Sequence, residues 1–164
     1  MGHPQIIAAA LSLTLALSGC ANLRWSLQRS FRDPGERIET FPEIVWDEYA
    51  CDGSKLPFFE LETNELIPPQ LKAGSRFNHR MVYVLCPVRP TAVVTGRLVT
   101  RIRFRGDPIV QERTEAYEIK PGRWVVDSEI TLPSAAEPGV YAYEVEFRGD
   151  GLRFTKSLTF VVGR

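Results

Sequence analysis

The stretch Arg97-Leu98-Val99-Thr100-Arg101-Ile102-Arg103-Phe104-Arg105 settles what kind of backbone this chain uses. Its odd positions hold four arginines and Val99; its even positions hold Leu98, Thr100, Ile102 and Phe104. A two-residue period separates those sets, so the segment reads as a β-strand with arginines facing water and the apolar set facing a core. A 3.6-residue period would scatter both sets around a helix and leave no face to bury.

The same period governs much of the chain beyond residue 120. In Trp124 to Leu132 the side chains of Trp124, Val126, Ile130 and Leu132 are expected inside, with Asp127 and Glu129 outside. Val140 to Phe147 sets Tyr141, Tyr143, Val145 and Phe147 against Glu144 and Glu146, and Leu152 to Val162 reads as the last strand. Ile109 to Ile119 is more polar and suits a sheet edge. Met81 to Cys86 is apolar at every position, as in a central strand covered on both faces. Glu43 to Tyr49 reads as a first strand, followed by a polar, proline-containing stretch through Ile67-Pro68-Pro69. Turns fall at Lys72-Ala73-Gly74-Ser75, Gly106-Asp107-Pro108, Lys120-Pro121-Gly122 and Gly149-Asp150-Gly151. Six or more short strands with turn chemistry between them predict an antiparallel β-sandwich, a small barrel being the other all-β arrangement.

The amino-terminal part is different. Ile6 to Leu17 is apolar or small and uncharged, about the length of a signal-peptide core and too short for a permanent membrane span. Beyond it, Leu23, Leu27 and Phe31 recur every four residues among Arg24, Arg29 and Arg32. That segment is either a short amphipathic helix resting, with Trp25, on anionic headgroups or a flexible tether. Asp33-Pro34-Gly35-Glu36 reads as the turn that ends it. The 20 basic and 20 acidic residues all lie beyond residue 19, so that part of the chain is formally neutral. It has no global electrostatic reason to bind nucleic acid.

Leu17-Ser18-Gly19-Cys20 resembles the lipobox of bacterial lipoproteins: an aliphatic residue, two small residues and a cysteine after an apolar run. The resemblance implies cleavage before Cys20, a diacylglyceryl group on its sulfur and an acylated new amino terminus, palmitate being a usual chain. The segment before Ile6 departs from the pattern, since it carries no Lys or Arg. Ala21 and Asn22 follow the lipidated cysteine of the implied mature chain, so the position directly after that cysteine lacks the aspartate that is the inner-membrane retention signal in enterobacterial lipoproteins. This points to the outer membrane, facing the periplasm. The implied organisation is a signal peptide at 1–19, a lipidated tether at 20–40 and a sandwich domain at 41–164. An oxidising compartment leaves Cys51 and Cys86 as a pair, and a disulfide is the simplest account. Two free buried thiols or a metal site are the alternatives. Glu137-Pro138-Gly139-Val140-Tyr141-Ala142-Tyr143 also resembles the tyrosine corner of immunoglobulin-like and fibronectin III-like domains. There the hydroxyl, here that of Tyr141, ties the start of a late strand to nearby backbone. Tyr143 stands where antibody domains have the inter-sheet cysteine, so a Cys51–Cys86 bridge would be of another kind.

Chemistry-bearing patterns are sparse. His79 is the single histidine beyond the apolar leader, has no nucleophile context around it, and reads as a surface or strand-entry residue. Asp127 and Glu129, two positions apart on a strand and roughly 7 Å by its rise, read as ordinary solvent-facing acids. No cofactor or metal is implied. The surface singled out is the row Arg97, Arg101, Arg103 and Arg105, which is structural if Glu144 and Glu146 lie beside it and an anion-seeking interface if they do not. The leading expectation is a non-enzymatic envelope lipoprotein whose partners are the bilayer, through acylated Cys20, and other envelope proteins. The rival is a lipoprotein holding a small apolar or anionic molecule, and a cavity between the sheets is what separates the two.

Overall fold

The computed structural model describes residues 32–164. These form an all-β sandwich: β1 (Gly35–Thr40), a helix α1 (Pro42–Glu48), a 3-10 turn (Cys51–Gly53), then β2 (Phe58–Ile67), β3 (Gln70–Leu71), β4 (Arg76–Cys86), β5 (Val94–Phe104), β6 (Asp107–Ile119), β7 (Gly122–Thr131), β8 (Gly139–Gly149) and β9 (Leu152–Val162). One sheet has the order β1-β7-β4-β2 and the other β3-β9-β8-β5-β6. All neighbours are antiparallel except β3, which pairs parallel with β9 through Gln70 and Leu71. The order β2-β4-β7 against β9-β8-β5-β6 is that of strands A-B-E against G-F-C-C′ in immunoglobulin sandwiches, with β1 on the edge that strand D holds there. Cys20 and the tether up to residue 31 lie outside the described residues.

Three segments differ from the sequence reading. Residues 35–40, expected as the end of a tether, form β1 and pair with β7 from Gly35↔Asp127 to Thr40↔Arg123. The sandwich therefore begins before residue 41. Glu43 to Tyr49, expected as a strand, is α1 instead. Pro42 stands at its first turn, where a preset φ and a missing N–H cost nothing, and Glu43 meets the positive end of the helix dipole. Seven residues hold no helix alone. Here Val45, 1% exposed, is pressed onto the outer face of β4 and β7, and that contact overrides the strand preference of Ile44 and Val45. The polar stretch after Cys51 contains the ten-residue β2.

β4 is central, flanked by β7 and β2, and covered on both faces. Its Phe77, Met81, Tyr83 and Leu85 meet Tyr143, Phe147 and Phe160 of the opposite sheet in the main core. Phe59 stacks between Tyr83 and Phe154, with ring centroids 5.7 and 4.6 Å away. On the outer face, Val84 and Cys86 join Val45 and Cys51 in a second, smaller cluster edged by Trp46 and Phe58. The Cys51–Cys86 disulfide lies inside it, with both residues fully buried. Where β5 crosses β8, Gly96 faces Gly149. A Cβ on Gly96 would stand 2.5 Å from the Arg148 carbonyl and 2.6 Å from the Phe147 ring, so only glycine lets these strands close.

Candidate functional site

The arginines of β5 do not form an open cationic row. Register places Arg101 opposite Glu144 on β8, and its guanidinium donates to Glu144 at 2.7 Å and Glu146 at 2.8 Å. Arg101 also donates to Gln111 on β6, while Arg103 donates to Glu144 and to the Gly106 carbonyl. The guanidinium of Arg101, with that of Arg148, holds the Glu146 carboxyl below the usual carboxylate range. Arg105 lies at the end of the row, over the Phe104 ring and 3.6 Å from Glu137. Charge reversal at Arg101 or Arg103 would set carboxylates against carboxylates and unsettle the sheet. A substitution at Arg105 also removes its contacts with Glu137 and the Phe104 ring, and Arg97 stands opposite Arg148 in the register. Behind Arg105, the Tyr141 hydroxyl donates to the Glu137 carbonyl at 2.7 Å, and the Tyr141 ring stacks on Phe104.

Two residues sit elsewhere than their sequence context suggested. Asp127, expected as a solvent-facing acid, is 2% exposed. It points to the outer face of its sheet, but β1 on one side and β4 on the other close over it. Arg80 donates two hydrogen bonds to it, at 2.9 and 2.8 Å, and Arg37 one at 2.8 Å. Burial opposes its charge, and the two guanidiniums outweigh that, so its carboxyl stays below the ordinary range. Glu129 is exposed and paired with Arg76.

His79, expected near the surface, is 4% exposed and faces the core between Phe77 and Met81. Its Nε2 donates to Asn64 Oδ1 at 2.7 Å in the orientation assigned to that amide, and its ring packs 4.9 Å from that of Tyr143 across the sandwich. Burial pushes its pKa down from 6.5 to about 4, against a smaller opposite pull from Asp127. The imidazole is therefore neutral at pH 7. An unfolded histidine takes up a proton near pH 6.5 and the folded one near pH 4, so between these values the unfolded chain binds more protons and stability falls as pH falls. This contribution is complete above pH 6.5, levels off below pH 4, and amounts to about 3 kcal/mol. Urea unfolding at pH 7 and pH 4.5 should show a clearly smaller difference for His79→Gln than for wild type; parallel losses would remove His79 as the source.

Beside His79 the two sheets stand apart and leave a cleft of about 240 Å³. Met81, Leu98, Val126 and Val145 give it apolar walls, and Thr100, Ser128 and the two tyrosines Tyr117 and Tyr143 supply hydroxyl groups. The cleft reaches solvent at Gly35, an exposed residue where an added Cβ would meet nothing within 4 Å. Glu36 clasps the two edge strands there, accepting from the Tyr117 hydroxyl at 2.6 Å and from Lys120 Nζ at 2.5 Å. Burial first and the Glu36 carboxylate second keep the Tyr117 phenol protonated far above its ordinary range. A second space of about 180 Å³ adjoins along β7 and shares Thr100 and Tyr143. Among the described residues no group of three or more His, Cys, Asp or Glu is placed to hold a metal ion.

No family model and no curated protein sequence matches the chain. Among solved structures it is similar to a Pseudomonas fluorescens alkylpurine DNA glycosylase, AlkC, at 15% identity and TM-score 0.42 over 63% of this chain and 30% of that one. A β-glucosidase of Erythrobacter marinus matches at 14% identity and TM-score 0.46 over 65% of this chain and 16% of the enzyme. The sporulation control protein Spo0M of Bacillus subtilis matches at 14% identity and TM-score 0.44 over 65% of this chain and 48% of that one.

Proposed function

We propose that this chain is an exported bacterial lipoprotein, acylated at Cys20, whose sandwich acts as a non-enzymatic structural or protein-interaction module in a cell-envelope assembly. The observation that carries the reading is the buried Cys51–Cys86 disulfide. Such bridges persist where the compartment is oxidising, and this one engages two of the three cysteines, leaving the lipobox cysteine for lipid. The absence of aspartate directly after Cys20, where Ala21 stands before Asn22, favours the outer membrane, periplasmic side, by resemblance to enterobacterial sorting.

Metabolic labelling with an alkyne palmitate analogue tests the anchor. Wild type should carry the label and sediment with membranes, and Cys20→Ala should do neither; an unlabelled wild type, or equal label on Cys20→Ala, overturns the reading. Crosslinking in cells followed by gentle detergent extraction tests the assembly. Envelope proteins recovered in stoichiometric amounts support it, and a protein recovered alone refutes it.

A further inference from the structure

We infer that the cleft between the sheets is a binding site for a small, uncharged, ring-shaped apolar molecule with one hydrogen-bond donor, and that Nδ1 of His79 accepts that donor. This goes beyond the anchoring role and stands whether or not Cys20 is acylated.

Size comes first. A cavity of roughly 150 Å³ lined by aliphatic and aromatic side chains takes up benzene, so about 240 Å³ admits two fused rings and little more. The wall chemistry narrows the class. Met81, Leu98, Val126 and Val145 offer no polar atom beyond the backbone, and a mostly apolar lining with a few convergent polar groups is what small-molecule sites share. The two carboxylates that border the cleft, Glu36 and Asp127, are already answered: Glu36 by Lys120 and Tyr117, and Asp127 by Arg37 and Arg80. An ion entering the cleft would lose water and meet no free counter-charge.

His79 supplies the direction. With its Nε2 hydrogen committed to Asn64, Nδ1 carries a lone pair, and no hydrogen bond to it forms among the described residues. Arg103 Nε is the sealed side-chain polar atom left without a hydrogen bond among the described residues, so Nδ1 is not walled in by packed atoms. A neutral imidazole in an apolar wall accepts one N–H or O–H and rejects a cation no less than an anion. The Ser128 hydroxyl lines the same space and can orient the far end of the molecule.

Indole and benzofuran share shape and differ in the donor, which makes them the probes. Titration calorimetry on the full-length oxidised protein in phosphatidylcholine nanodiscs, with empty nanodiscs subtracted, should show indole binding about two- to twelvefold more tightly than benzofuran, the range one hydrogen bond spans. Leu98→Phe fills the cleft from a half-buried position and should weaken indole at least tenfold while the melting temperature holds or rises. His79→Phe should abolish the preference for indole and leave benzofuran unchanged. No heat beyond the empty discs, or undiminished indole binding by a folded Leu98→Phe, overturns the site. Equal binding of the two probes by wild type overturns the role of His79.

Discussion

Replacing Asp127 with alanine is expected to destabilise the sandwich by about 3 to 5 kcal/mol, because it leaves two guanidiniums facing a buried gap. The carboxylate side chain is fully buried, and Arg80, its main partner, is only 20% exposed. Water can do little for Arg80 or for Asp127 left alone, while Arg37, with its side chain 50% exposed, is readily solvated. Arg80→Met tests the converse, a buried carboxylate kept by Arg37 alone, and should cost a similar amount. The double replacement Arg80→Met/Asp127→Val should cost less than either single change, since it removes both desolvation penalties at once. A thermodynamic cycle by urea unfolding at pH 7 measures this coupling. Single variants within 1 kcal/mol of wild type, or additive losses, would show that the Arg80–Asp127 pair does not couple β4 to β7.

Opening the disulfide should have an effect of similar size by a different route. Cys51 and Cys86 close a loop of 35 positions, and on the chain-entropy model the bridge contributes roughly 3 to 4 kcal/mol. The double variant Cys51→Ser/Cys86→Ser should therefore melt roughly 10 to 20 °C lower than wild type. Protection against hydrogen exchange should fall first in α1, which the bridge clamps to β4. A melting point within 3 °C of the oxidised protein, checked by scanning calorimetry with and without reductant, would assign the clamp to Val45 and Trp46 rather than to sulfur.

How readable each element was in the sequence depends on the length scale of its contacts. β5, β7, β8 and β9 were legible because each turns an apolar face to the main core, and that face recurs in the chain every second residue. β1 was not. It is an edge strand with one half-buried apolar residue, Ile38, and its partner lies some 90 positions away. α1 misled because Ile44 and Val45 prefer strands, and the surface that makes them helical is brought by β4 and β7. β2 hid behind a bulge between Leu61 and Thr63, which moves the inward set from odd to even positions. His79 was readable in principle. Phe77, His79, Met81, Tyr83 and Leu85 share one face of β4, and starting that strand at Met81 cut the histidine off from its own period. The cleft had no signal, since it arises from the spacing of two sheets rather than from any run of residues.

The entry of the chain through β1 also sets how the domain would carry load. In a chain held at Cys20, 15 positions separate the lipid from Gly35, so even fully drawn out the leash reaches roughly 50 Å. A pull on it arrives at an edge strand, whose hydrogen bonds to β7 meet the force one after another, and α1 comes away next. At Cys51 the peeling meets a covalent stop in β4. The sacrificial part ends there, and the main core stays closed behind the bridge, while the cleft loses Gly35 and Glu36 from its mouth.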